Sequence, residues 1–275
     1  MDWMPLGDYE TFRGWSGQPR SWGPEDAGWR VWFGGNVVDG LCGVLDEHLA
    51  AQRRGVPAAI GCVPWLTSAA VVDRLLNLTA CCVVLDKGAR VPPPPRLVNS
   101  ANGLPNTAIP NLELMTPAVD GQAPVLGPYG PMPEHDIGPV RLLGHDREDR
   151  KPLLHAKLLV LGEIAEIAYG PDDGPSFSVW HFVPQAVWWG SANWTALSRS
   201  HLEVGFFCND PALTQDAADF VADVIAFSEP VGTTCVGPEP NLVHVEFDDA
   251  AMAEASEQHL AYLESQAEDV GLDDW

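Results

Sequence analysis

The stretch Leu154-His155-Ala156-Lys157-Leu158-Leu159-Val160-Leu161, with Gly190-Ser191-Ala192-Asn193-Trp194-Thr195 downstream of it, decides how the rest of the chain is read. The first piece is apolar apart from its two cationic members. Read as a buried strand, its alternation sets His155 and Lys157 on one face, because side chains two residues apart point the same way. Ser191 and Asn193 have the same spacing and share a face in the same reading. Two adjacent strands then present an imidazole, an ammonium, a hydroxyl and a carboxamide to one place. An imidazole can attack phosphorus or carry a proton, an ammonium neutralises non-bridging oxygens, and the other two donate hydrogen bonds to them. That set suits a phosphodiester and needs no metal. The bland alternative is a satisfied core histidine beside a snorkelling lysine. It is a poor account here, since the chain has only Lys87, Lys151 and Lys157, and an unpaired buried charge is costly.

These residues resemble the phospholipase D superfamily, whose motif is His-x-Lys-x4-Asp followed by Gly-Ser-x-Asn. The match takes in His155, Lys157, Gly190, Ser191 and Asn193, and the resemblance covers roughly residues 30–230. It extends to Glu203, twelve residues beyond Ser191, where single-motif members carry a carboxylate that orients the catalytic histidine. Without the resemblance, Leu202 to Phe207 is an ordinary alternating strand. There are two departures. Gly162 stands where the motif has Asp, with Glu163 next to it, so either Glu163 substitutes or that carboxylate is missing. The connection from Leu161 to Gly190 is also longer than in the family, and Gly170-Pro171-Asp172-Asp173-Gly174-Pro175 reads as a turn inside it.

The resemblance implies an α/β fold, a phospholipase D-like mixed β-sheet flanked by helices, with one motif per chain. It implies a metal-independent phosphodiesterase without a cofactor, first of all a nuclease acting on DNA or RNA. Its site would be shared across a homodimer: one His155 forms a phosphohistidine and the other protonates the leaving oxygen. In this scheme Lys157, Ser191 and Asn193 hold the phosphate and Glu203 orients His155. The alternatives are a lipid or small-molecule phosphodiesterase or transphosphatidylase, and a catalytically weak binding module for which Gly162 speaks. Trp188, Trp189 and Trp194 can stack on a base or headgroup, although strand core is their simplest role.

At 275 residues there is ample length for a core. The net charge of -23 runs against broad binding of a polyanion. Ten of the 38 acids lie in residues 246–275, leaving 28 acids against 15 bases elsewhere. A polyanion must therefore be met in a confined cleft. The first residues show no basic or apolar leader pattern and no apolar run is long enough to span a bilayer, so a cytoplasmic location is expected. Cys42, Cys62, Cys81, Cys82, Cys208 and Cys235 lack metal-site spacing and read as reduced thiols. No GxSxG elbow, P-loop or dinucleotide fingerprint is present.

Residues 1–30 read as a Trp/Gly/Pro-rich arm and 31–245 as the main domain. A helix is expected from Asn36, closed by Arg53, Arg54 and a C-cap Gly55, with His48 as a core or rim histidine. Val56–Val63, a helix capped by Thr67 or Ser68, and Thr79–Asp86 give a parallel pair through a crossover. Pro64-Trp65 after the first of these strands and Asp86-Lys87 at the end of the second match the texture of the family's first half. Thirteen of the 25 prolines fall in the insertion at residues 90–152, which reads as a partly ordered lid with a strand at Pro139–Leu143. A metal site from His135, Asp136 and His145 has no recognisable spacing behind it. Asp210 and Pro211 start an amphipathic helix. Residues 246–275 read as an acidic helix and tail that can dock a protein partner, with Trp275 as anchor.

Overall fold

The computed structural model describes residues 20–22, 28–131, 133–146, 153–169 and 177–270. Its centre is a mixed nine-stranded sheet. In chain order the strands are β1 (Arg20–Trp22), β2 (Trp29–Phe33), β3 (Val56–Val63), β4 (Ala80–Asp86), β5 (Val140–Leu143), β6 (Leu158–Tyr169), β7 (Phe177–Gly190), β8 (Val204–Cys208) and β9 (Glu229–Pro230). Across the sheet the order is β1-β2-β8-β7-β6-β3-β4-β5-β9. Only the β3–β4 and β4–β5 pairs are parallel. The α/β class expected from the sequence is the architecture the chain forms.

β3 and β4 are apolar on both faces because both are covered. Ala59, Val63, Cys81, Val83 and Leu85 pack under α1 (Val37–Ala50) and α2 (Ala69–Leu76). Ala58, Ile60, Cys62, Cys82 and Val84 face the opposite layer, which holds α3 (Pro211–Ala226). Asp210 caps α3, its Oδ1 accepting from the Leu213 amide at 2.9 Å. Burial pushes the Cys62 and Cys82 thiols up to about 12, so both are inert core groups.

Most of the described part of the proline-rich insertion packs into the core, while its first residues, Arg90 and Val91, line the cleft that holds His155. Leu104, Ala108, Ile109, Leu112, Met115 and Ile137 sink into the α3-side core. Asn106, fully buried, staples the segment: Nδ2 donates to the carbonyls of Met115 and Pro133 and Oδ1 accepts from the His135 amide. The prolines remove helical and strand periodicity, yet isolated apolar side chains between them still find the core. Its last piece, β5, is the parallel neighbour of β4. Among the described residues no group of three His, Cys, Asp or Glu is placed to hold a metal, and His135, Asp136 and His145 form no such group.

Other expectations are corrected in detail. α1 ends at Ala50, with Ala51 already extended, so Gly55 is not its C-cap. Instead the Gly55 amide donates to Glu163 Oε2 at 3.1 Å, and Arg53 Nη1 lies 3.3 Å from the buried His48 Nε2. Of the N-terminal arm, Arg20–Trp22 joins the main sheet as its edge strand, antiparallel to β2; residues 1–19 and 23–27 lie outside the described residues. The turn at 170–175 lies outside them too, between the paired ends Tyr169 and Phe177 of one long antiparallel hairpin. Residues 249–270 form α4 (Asp249–Val270), and Trp275 falls outside the described part. No described helix is long and apolar enough to cross a membrane.

Gly162 sits where the β6–β7 register shifts. A Cβ there would lie 2.4 Å from the Val183 carbonyl oxygen and 2.8 Å from the Phe182 ring. No carboxylate fits at this position, and Glu163 serves the end of β3 remote from His155. Gly162→Asp is expected to lower stability by at least about 2 kcal/mol in denaturant unfolding, through overpacking against backbone that cannot retreat.

His48 yields a second prediction. Burial, and then the Arg53 charge, lower its pKa from 6.5 to about 4. As pH falls below 6.5 the unfolded chain binds a proton that the folded protein refuses until about pH 4. Stability from this residue is therefore lost across that window, by about 3 kcal/mol, and levels off below it. The difference in unfolding free energy between pH 7 and pH 4 should be smaller by that amount in His48→Gln.

Candidate functional site

The C-terminal ends of β3, β4 and β7 and the N-terminal ends of β6 and β8 share one rim of the sheet, the place where open α/β sheets bind ligands. Each sequence-predicted residue stands at that rim. His155 and Lys157 immediately precede β6, Ser191 and Asn193 immediately follow β7, and Glu203 immediately precedes β8. They are not within strands, as the alternation suggested. The ladder continues past the strand ends through Gly190 N–H to Lys157 O (3.2 Å) and Ser191 N–H to Val204 O (2.9 Å). Gly190 is required by this approach, since a Cβ there would sit 2.3 Å from the Val204 carbonyl oxygen.

Lys157 is 8% exposed while His155 is exposed. The ammonium donates to the His155 carbonyl at 2.9 Å and lies 3.1 Å from its Nε2. An ammonium only donates, so Nε2 accepts and the imidazole proton belongs on Nδ1. Nε2 is thus the lone-pair nitrogen in this arrangement. Burial lowers the Lys157 pKa from its ordinary value, and the Glu203 carboxylate partly offsets this.

Glu203 has a different partner from the one expected. Its Oε2 accepts from Ser191 Oγ at 2.5 Å, and Ser191 Oγ accepts from the Val204 amide at 3.0 Å. Glu203 Oε1 lies 3.7 Å from Nδ1 of His201, two residues upstream. The carboxylate therefore orients the serine and biases the lysine, and its bonds do not run to His155. Sequence reading missed His201, whose signal was only its place beside Glu203.

The turn after β7 is tied to the loop after β3. Trp194 N–H donates to Trp65 O, and the amides of Thr67 and Ser68 donate to Trp194 O. Trp194 and Trp188 are core, as their simplest reading had it, whereas Trp189 is half-buried and stacks on Phe206 at 5.3 Å. The rim also gathers Asp86, whose pKa burial raises, and the exposed indole of Trp65. The arrangement can accept a phosphate beside Lys157 and Ser191, with His155 open to attack or to proton exchange.

The fold and the rim define an α/β protein that brings a His-x-Lys and a Ser-x-Asn sequence together at one edge of its sheet. No family model matches the chain, and no curated protein matches it. Among solved structures it is similar to NucT from Helicobacter pylori, at 10% identity over 78% of this chain and 99% of that one, with a TM-score of 0.45. It is also similar to a phospholipase D family member, Nuc from Salmonella typhimurium, at 11% identity over 75% and 93% of the two chains, TM-score 0.33. Polyphosphate kinase from Porphyromonas gingivalis gives 10% identity, 81% and 28% coverage and a TM-score of 0.37. This chain thus spans less than a third of that kinase.

With three lysines in the sequence, the Lys157 side chain can be followed by NMR titration. Glu203→Gln removes the one carboxylate acting on it and should lower its pKa further. An unchanged or raised value would show that Glu203 does not act on this ammonium.

Proposed function

We propose that the protein is a phospholipase D-like phosphodiesterase, a nuclease first of all, working without a metal. The observation that carries this reading is the Lys157 ammonium set against Nε2 of an exposed His155, at the rim that also holds Ser191 and Asn193. The motif resemblance supports it.

In the proposed chemistry, Nε2 of one His155 attacks phosphorus while the bond to the leaving oxygen breaks. A proton reaches that oxygen from the His155 of a second copy, in its imidazolium form. Water then loses a proton to that imidazole and attacks phosphorus, and the P–N bond breaks, restoring both histidines. Lys157 and the hydrogen-bond donors at the rim stabilise the charge on the phosphoryl oxygens. One chain brings a single His-x-Lys, so the reading includes a homodimer with both rims facing one cleft; two-fold symmetry makes such a site self-complementary.

The weak-binding-module reading leaned on the absent carboxylate at Gly162. Steric exclusion at that position gives the glycine a structural reason, which leaves the phosphodiesterase reading favoured.

Purified protein in excess EDTA should cleave DNA or RNA, and His155→Ala should lose at least about a thousandfold of that rate, as expected for removal of a covalent nucleophile. Cleavage retained in the variant would overturn the role of His155, and activity abolished by EDTA would overturn metal independence. Activity that is unaffected when the chain is diluted to monomers would remove the shared site.

A further inference from the structure

Resting on the phosphodiesterase reading, we infer that the site takes its substrate by the two organic arms of a single phosphodiester, each arm a nucleoside in its own cleft, and not by tracking a polyanionic backbone. The smallest substrate bound in full is then a dinucleoside monophosphate.

Two clefts meet at His155, which lines both. The first, of about 610 Å³, is walled by Trp65, Leu153, Leu197, Asp86 and Asn193. The second, of about 480 Å³, also reaches the histidine and is walled by Lys157, Ser191, Trp189 and Leu213. Both fall in the size range of small-ligand sites. In the proposed pose, a phosphorus atom at Nε2 of His155 sends one ester arm into each cleft.

The chemistry of the walls selects the arm. Trp65 is 47% exposed and offers an indole face to a planar ring. Asn193 Oδ1 is buried and meets no donor among the described residues, and Asp86 Oδ1 likewise makes no close hydrogen bond there, although the Leu154 and Gly88 amides act on the Asp86 carboxylate. Unpaired buried acceptors call for an explanation, and a ligand bringing N–H or O–H groups supplies one. A nucleoside has both the planar ring and the donors, whereas an acyl chain has neither. In the second cleft the half-buried Trp189 and the exposed Leu213 offer apolar surface beside the phosphate-binding Lys157.

Charge favours this reading over the usual alternative. Among the described residues, Lys157 and Arg90 are the only lysine and arginine lining either cleft. The chain as a whole carries -23. A polymer held through many phosphates needs a basic track, and its affinity falls steeply with salt. Here one phosphate is neutralised and the arms supply the rest.

The test is calorimetric binding to His155→Asn protein, so that the ligand survives, with a dinucleoside monophosphate, a long single strand and a short-chain phosphatidylcholine as titrants. Hydrolysis of bis(p-nitrophenyl) phosphate by the unaltered protein is measured beside it. The dinucleoside should bind within about tenfold of the long strand, and its affinity should change by less than about threefold between 50 and 200 mM salt. Trp65→Ala, made in the His155→Asn background, should weaken it at least about fivefold. Trp180→Ala, an exposed tryptophan outside both clefts, should leave it unchanged. A long strand that binds a hundredfold more tightly with a steep salt slope overturns the inference, as does a dinucleoside that does not bind or a Trp65-dependent preference for the lipid. If the model diester is hydrolysed and the dinucleoside is not bound, the two-cleft inference fails and the phosphodiesterase reading stands. If the dinucleoside is bound as expected and no diester is hydrolysed, the clefts stand and the enzymatic reading fails.

Discussion

Everything at the rim depends on the register of β6, which is held between β3 and β7 with Leu158 opposite Cys62 on one side and Trp189 on the other. A slip of one residue would exchange the faces of Leu159 and Val160 and move His155 and Lys157 along the rim by a full residue. Both faces of β6 are apolar near the rim, so alternation cannot enforce the register. The close fit of Gly162 against Val183 and Phe182, and the ladder bonds that run on from Lys157 to Gly190 and from Ser191 to Val204, do so instead. The geometry of the rim and that of the sheet are consequently set by the same contacts.

The buried charges follow one pattern. Lys157 is sheltered but engaged by the imidazole and a carbonyl. Arg141, 4% exposed, spends its guanidinium on the Ser228 hydroxyl and carbonyl and on Asn241 Oδ1. Lys87 pairs with Glu229 and donates to the Gly237 carbonyl. These three cations are placed where water screens them little. The acidic excess is concentrated elsewhere, including α4, which is exposed along most of its described length.

How much of this was legible follows from the kind of physics involved. Val56–Val63 and Ala80–Asp86 could be read because strands covered on both faces are continuous apolar runs, and α3 because Asp210-Pro211 is a strong helix start. The residues at the rim could be read from their types and spacing. Their local conformation could not: two-residue spacing predicts a shared face in a strand, and these residues lie just beyond strand ends, where ladder hydrogen bonds persist without strand geometry. The Glu203–Ser191 contact was hidden because it joins the ends of two different strands, a relation fixed by sheet order. The insertion's core packing was hidden because its contacts come singly, from Asn106, Leu112 or Ile137, with no period to detect. At Gly55 a glycine following two arginines has the composition of a helix end, yet its amide is consumed by Glu163.

The Lys87–Glu229 pair has a bearing on how this sequence can change with time. Its two side chains are 4% and 2% exposed, and Glu229 Oε2 also accepts the Glu239 amide, so the pair pins the 229–239 segment to the end of β4. Replacing either member alone strands the other charge out of water, at a cost of about 3–5 kcal/mol, although exchanging both for well-packed apolar residues need cost nothing. The route between those two acceptable states passes through a chain close to unfolding. Descendants of this protein are therefore expected to keep both residues or to have lost both together, a coupled inheritance imposed by solvation alone.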